Sequence, residues 1–281
     1  MLRLARWTMY VAIPAELLLT LVLLSGVPLP DSVLVVSGAA ATAALLLTLT
    51  ASGRVYAAAR WARADRRTAA RHTVREIVPA PARRVISFDV KGMQSLWLLC
   101  LRRRHGIPPD AVTVPYAREP MPVMFLWIFI LTVDAVATEV VLRGIGAPPV
   151  LRRTLLVVDG YSILAAVAVA ACWVTRPHVV TAHELRLRSG AFFDLRVPRH
   201  TVASVRLTRC FNEPSSIAVA DDRLGVCMAS QTNVVVELTE PVTYTRPLGR
   251  RGEARTIRFF TDTPEAAVAA LRDGAEAGMP T

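Results

Sequence analysis

The spacing of hydrophobic positions changes at Pro177, and the change divides the chain into two kinds of structure. Before it stand four apolar runs, Thr8 to Leu29, Val33 to Ala51, Pro122 to Leu142 and Thr154 to Val174. Runs of about 20 apolar residues match the hydrocarbon thickness of a bilayer, so each predicts a membrane-spanning helix. Only a few turn residues around Pro28, Pro30 and Asp31 separate the first two. That favours a membrane hairpin over a cleaved signal peptide, despite the basic start at Arg3 and Arg6. Pro14 removes a backbone donor and predicts a kink in the first span. After Pro177 apolar residues alternate. Residues 183–188, 194–197, 202–207, 216–219, 224–228, 233–238 and 256–260 predict seven short strands. Turns are expected at Ser189-Gly190, Asn212-Glu213-Pro214 and Asp221-Asp222. The last element is a helix with Thr263 as cap, Pro264 in its first position, Glu265 at its positive dipole end and Gly274 at its close.

Between the two pairs of apolar runs lies Arg54 to Arg104. It holds thirteen basic residues against three acidic ones, +10 of the chain's +11. Basic residues in short loops stay on the cytoplasmic side, so this block and both chain termini are expected in the cytoplasm of a bacterial cell, with the spans in its cytoplasmic membrane. Arg143, Arg152 and Arg153 in the loop between the last two spans argue mildly the other way, and thirteen charges outweigh three. Arg60, Arg63, Arg67, Arg71 and Arg75 recur at spacings of three and four, one stripe on a helix continuing from the second span. Ile86, Val90, Met93, Trp97 and Cys100 then mark an amphipathic helix too short to span. It is best laid in the interface with its apolar side down, the alternative being a helix packed on the spans or on the β segment. Gly106 to Asp110 ends it, and Pro115, Pro120 and Pro122 keep the return to the membrane extended.

Composition narrows the chemistry. A mean hydropathy of +0.40 over 281 residues exceeds that of an ordinary soluble domain. Lys91 is the sole lysine among 33 basic residues, the usage of a GC-rich bacterial genome, so arginine by itself is no sign of phosphate recognition. Anionic lipid is the expected contact of Arg60, Arg63, Arg67, Arg71, Arg75, Trp97, Arg102, Arg103 and Arg104, and of Arg250 and Arg251 on a second basic loop. Topogenic charge is the plainer reading of the same residues. Nucleic acid is not expected, because no recognised module accompanies the charge. Cys100, Cys172, Cys210 and Cys227 are too scattered for a disulfide framework or a zinc site and read as buried free thiols. His178 and His183, five apart, fit neither face of a helix or strand as a metal pair and read as solvated or membrane-boundary histidines, while His72 and His105 read as polar surface. No phosphate-binding glycine loop, G-x-S-x-G or Cys–His arrangement appears, so no cofactor and no metal are expected. The remaining candidates are acids inside the spans, Glu16, Asp134, Glu139 and Asp159. A carboxylate in hydrocarbon normally faces protein or water. Helices three and four could bring Glu139 and Asp159 together, as interhelical glue or as part of a transport or catalytic route.

The segment "VVTAHELRLRSGAFFDLRVPRHTVASVRL" after a membrane helix, closed by "TPEAAVAALRDG", resembles the pleckstrin-homology-like barrel of bacterial membrane-attached proteins. Over its full length the chain is similar to an uncharacterised actinobacterial family of four-helix integral membrane proteins through "YAREPMP", "RPHVVTAHELRLRSGAFFDLRVP" and "QTNVVVELTEPV". The resemblance implies a fold and no chemistry. The expected fold class is therefore membrane α plus soluble β. Hairpin 1 covers 1–53, a basic cytoplasmic helical insert 54–120, hairpin 2 121–176, and a seven-stranded pleckstrin-homology-like barrel closed by one helix 177–281. The expected function is an integral membrane scaffold that presents this domain at the cytoplasmic face, contacting anionic lipid or recruiting a protein partner, which includes a second copy of itself. The alternative is a small transporter or membrane enzyme using the intramembrane carboxylates.

Overall fold

A computed structural model describes residues 30–62, 65–78, 80–220, 222–247 and 249–276. The first expected span, with Pro14 and Glu16, lies outside the described residues. The chain divides into two units, one ending at Ile86 and including Leu142–Leu155, the other comprising Ser87–Val141 and Leu156–Thr281.

In the first unit α1 runs from Asp31 to Trp61 and contains the expected second span. The Thr42 and Thr50 hydroxyls donate to the carbonyls of Gly38 and Leu46, four residues back, so these polar side chains are satisfied within the helix. The arginine stripe does not continue on one helix. Helix α1 stops at Trp61, and α2 starts afresh at Arg66 and runs to Ile77. Arg60 therefore sits in the last turn of α1, Arg67, Arg71 and Arg75 belong to α2, and Arg63 is outside the described residues. Asp65, directly before α2, is a residue type that favours a new helix start, and arginines three and four apart repel along an unbroken one.

Helix α3 spans Ala80–Cys100, α4 Met121–Gly144 and α5 Pro149–Thr175, each with most of its length in the second unit. Among the described residues α4 and α5 are the two helices long and apolar enough to cross a membrane. No residue of α4 is buried: Met124, Ile128, Leu131, Ala135 and Leu142 are half-buried along one side, and Phe125, Leu126, Phe129, Val133, Val136 and Val140 are exposed. The α4–α5 turn closes on Gly146, whose φ of +68° suits glycine. Ala147 donates to Leu142 O at 2.9 Å and Gly146 to Arg143 O at 3.2 Å. Pro149 then opens α5, where a missing N–H costs nothing.

Among the described residues nine strands form two sheets with no closed barrel, where seven strands in a barrel were expected. The first sheet has the order β1 (Val112–Val114), β2 (His178–Val180), β3 (Glu184–Ser189), β4 (Phe193–Pro198). The second comprises β5 (Val202–Cys210), β6 (Ile217–Ala220), β7 (Arg223–Val226), β8 (Thr232–Thr245) and β9 (Arg251–Phe259), ordered β5-β8-β9-β7-β6. All seven expected strands are present. The two additional ones have three residues each, too few to show alternation, and β1 precedes the second hairpin while its partner β2 follows it. Strands β8 and β9 are longer than their apolar cores implied, because Pro241 and polar residues interrupt the pattern. The pairing of β8 with β9 shifts register between Glu237 and Val242, the kind of irregularity that accommodates a strand proline. Leu185, Leu187, Leu195 and Val197 of the first sheet share one core with Val234, Val236, Ile257 and Phe259 of the second. Helix α6 (Pro264–Glu276) closes that core with Ala267, Val268 and Leu271 and continues through Gly274, where it was expected to stop.

Candidate functional site: the joint between hairpin and sheets

Strands β1 and β2 hold the two ends of the α4–α5 hairpin side by side. Val112 faces Val180 and Val114 faces His178 in an antiparallel ladder. Every residue between them, α4 and α5 included, is a loop closed by that ladder. The entry strand is tied further at Pro115, whose carbonyl accepts from Asp262 N and Thr261 Oγ1, both at 2.8 Å, and at Arg118, whose N–H donates to Asp262 Oδ2 at 3.0 Å.

At the centre of the joint lies Tyr116, 1% exposed. Its hydroxyl donates to Arg176 O at 3.0 Å and accepts from Gly190 N–H at 2.9 Å, joining the end of α5 to the tip of the β3–β4 hairpin. Burial raises the Tyr116 pKa well above its ordinary value, so the donor is permanent. The Tyr116 ring stacks on His178 with centroids 4.5 Å apart, and His178 meets Phe259 edge-on at 5.4 Å. His178 is fully buried, not solvated as its place at a span boundary suggested. Its Nδ1 accepts from Arg188 N–H at 3.0 Å, which puts the ring proton on Nε2, where it donates to Phe260 O at 3.0 Å. With both nitrogens engaged His178 cannot serve as a metal ligand, and burial lowers its pKa to about 3. His183 is exposed, as expected.

Two buried arginines, Arg176 and Arg188, lock the same region through hydroxyl, amide and backbone carbonyl oxygens. Arg176 donates from Nε to Ser95 Oγ and from Nη2 to Gln94 Oε1, both at 3.0 Å, tying the end of α5 to α3. Arg188 donates to the carbonyls of His105 at 2.8 Å and Gly106 at 3.2 Å, and His105 N–H donates to Thr175 O at 2.8 Å. Burial and the nearby Arg176, Arg188 and Arg186 lower the pKa of His105, a sign of positive potential at the joint. Arg186 forms a two-pronged pair with Asp194. The signal for these interior arginines is weak in sequence, because Arg188 follows the polar rhythm of β3 and Arg176 looks like a span terminus.

Helix α3 has two faces. Its small and polar face packs inward. Gly92 is buried where a Cβ would stand 3.2 Å from Ala168 Cβ, Ser95 is fully buried, Tyr161 Oη donates to Asp89 Oδ1 at 3.1 Å, and Lys91 Nζ donates to Ala191 O at 3.1 Å. Phe88 stacks on Phe192 at the tip of the β3–β4 hairpin, with centroids 4.3 Å apart. Its apolar stripe faces outward instead, with Ile86 53%, Val90 62% and Trp97 67% exposed, joined by Met93 and Leu101. The alternative expectation, packing on a later helix and on the β segment, is met through the small and polar face, while the apolar side stays bare. We expect Gly92→Leu to lower the thermal unfolding midpoint of the detergent-solubilised protein, by about 1–3 kcal/mol of overpacking against Ala168. An unchanged midpoint would show that α3 does not bear on α5.

Arg102 ends α3 with φ +53°, and the pair Arg103 N–H to Leu98 O (2.8 Å) and Arg102 N–H to Leu99 O (3.0 Å) makes it the left-handed residue of a Schellman cap. Glycine is the relaxed choice there, and a side chain costs about 1 kcal/mol. Arg102, Arg103 and Arg104 are all exposed, and Arg104 donates to Thr113 Oγ1 at 3.2 Å. Arg250 and Arg251 are exposed at the β8–β9 turn.

The acids on α4 and α5 form no metal site among the described residues. Asp134 is exposed on α4, Glu139 and Asp159 are half-buried, and no group of three or more His, Cys, Asp or Glu residues could hold a metal. Cys172 and Cys227 are buried as expected, whereas Cys210 is half-buried and Cys100 is exposed on α3; all four are free. A cleft of about 550 Å³ brings His183 near Asp110, and Glu184 there lies 3.7 Å from Arg196, without a nucleophile–base pair. No protein-family model matches the chain, and no curated protein or solved structure matches it.

Proposed function

We propose that this protein is an integral membrane scaffold whose two hairpins, four spans in all, hold a pleckstrin-homology-like two-sheet module against the cytoplasmic face of a bacterial cell membrane, in contact with anionic lipid. The observation that carries the reading is the β1–β2 ladder. It closes the second hairpin with a strand on either side and therefore makes the sheets an extension of the membrane helices, not a domain on a linker. The polar contacts at the joint are satisfied by Tyr116, His178, Arg176 and Arg188, which suits holding a fixed posture and leaves no group poised for turnover. A module so held can contact lipid or a recruited protein at a constant height above the bilayer. The basic block sets the orientation.

The test is accessibility. With Cys100 changed to Ser, a Thr208→Cys variant on the exposed side of β5 should react with a membrane-impermeant maleimide only after intact cells are permeabilised. Labelling of intact cells would place the sheets outside and sink the scaffold reading.

A further inference from the structure

We infer that helix α3 is seated in the cytoplasmic leaflet, with Val90, Met93, Trp97 and Leu101 against acyl chains and Arg102, Arg103 and Arg104 on the phosphates of anionic phospholipid. The inference rests on the scaffold reading, because α3 meets a leaflet only if α5 crosses one.

Depth is the first argument. Gly92 packs on Ala168, and Ala168 lies seven residues before Thr175, the last residue of α5. At 1.5 Å per residue that is about 10 Å of helix. An interfacial amphipathic helix buries its apolar face about 5–10 Å into the boundary between headgroups and acyl chains. Contact with α5 therefore holds α3 at the depth such a helix adopts. The second argument is the direction of the stripe. The face that an ordinary amphipathic helix would bury is here turned away from the rest of the second unit, while Ser95, Gly92 and Lys91 face inward. A bilayer supplies the apolar neighbour that this arrangement calls for, and the apolar surfaces of α4 and α5 share it. Charge supplies the third argument. Three consecutive exposed arginines follow the stripe at its C-terminal end, and one of them occupies a left-handed position better suited to glycine. Their cationic side chains reach headgroup level from a helix at this depth.

The experiment uses the full chain in nanodiscs of phosphatidylcholine with a minority of phosphatidylglycerol. The contribution of Trp97 is taken as the difference in fluorescence between the wild type and Trp97→Phe, and that of Trp127 on α4 is obtained likewise. Trp97 should be quenched by lipids brominated near the headgroup end of the acyl chain and shielded from aqueous iodide. Quenching of Trp127 with none of Trp97 overturns the seat of α3 and leaves the scaffold standing, whereas loss of both overturns the two together. For the headgroup arm, phosphatidylglycerol retained after detergent extraction is counted by native mass spectrometry. Each arginine removed, in Arg102→Gly, Arg103→Gln and Arg104→Gln, should weaken retention by about fivefold. Arg102→Gly suits its backbone, so its loss of lipid is not a loss of folding. Unchanged retention in the triple variant, or displacement of the lipid by inorganic phosphate alone, overturns the assignment to phospholipid.

Discussion

Tyr116→Phe should loosen the module from the hairpin. The substitution keeps the ring against His178 and removes one oxygen, and that oxygen is the shared partner of Arg176 O and Gly190 N–H. Both groups are then left inside the joint without it. A buried polar group stripped of its partner costs about 1–3 kcal/mol, so the two together remove about 2–6 kcal/mol, a large fraction of a domain's total stability. The loss should appear first as faster hydrogen exchange in β1, β2 and the tip from Ser189 to Phe192, with α4 and α5 themselves protected. Global unfolding with no local phase would mean that Tyr116 is an ordinary core residue. An unaltered exchange pattern would mean that the ladder alone holds the joint. Tyr116→Leu, which also removes the stacked ring, should be the more damaging of the two.

The legible parts of this fold are those in which one physical rule acts along a continuous stretch. Alternation over Phe193 to Val197 gives buried and exposed residues in strict turn, and β4 is there. Uniform apolarity gives α4 and α5. Gly190 at φ +54° forms the expected turn, closed by Phe192 N–H on Ser189 O. What could not be read depends on partners distant in the chain. Val112–Val114 is too short to declare itself, and its partner lies beyond the entire α4–α5 hairpin. His178 looks like a boundary residue until Arg188 N–H and Phe260 O are seen to take its two nitrogens. Periodicity located the apolar stripe of α3, but only the fold shows which side of the helix the protein keeps for itself. The break between α1 and α2 was hidden because the arginine spacing carries across Ala62 to Asp65 without interruption.

The engagement of His178 makes the joint sensitive to acid. In the folded chain its pKa is lowered to about 3 because burial excludes charge, with Arg188 adding to the effect against the bond to Phe260. In the unfolded chain it returns to about 6.5. The unfolded state therefore binds the extra proton between these values, and stability falls as the pH drops below 6.5 and is fully present above it. At about 1.4 kcal/mol per pH unit, the step to pH 5 removes about 2 kcal/mol. Protonating Nδ1 would also set a donor against Arg188 N–H. His105, lowered by burial and its arginine neighbours, acts in the same direction, whereas Asp194, held down by Arg186 against its own burial, does so only below about pH 4. The His178→Gln variant separates the contributions. It should be less stable than the wild type at pH 7.5, since one amide cannot span both partners, yet lose markedly less on acidification when unfolding midpoints at pH 7.5 and 5 are compared. Equal acid losses in the two proteins would move the sensitivity to His105 and leave His178 a neutral spacer between the sheets.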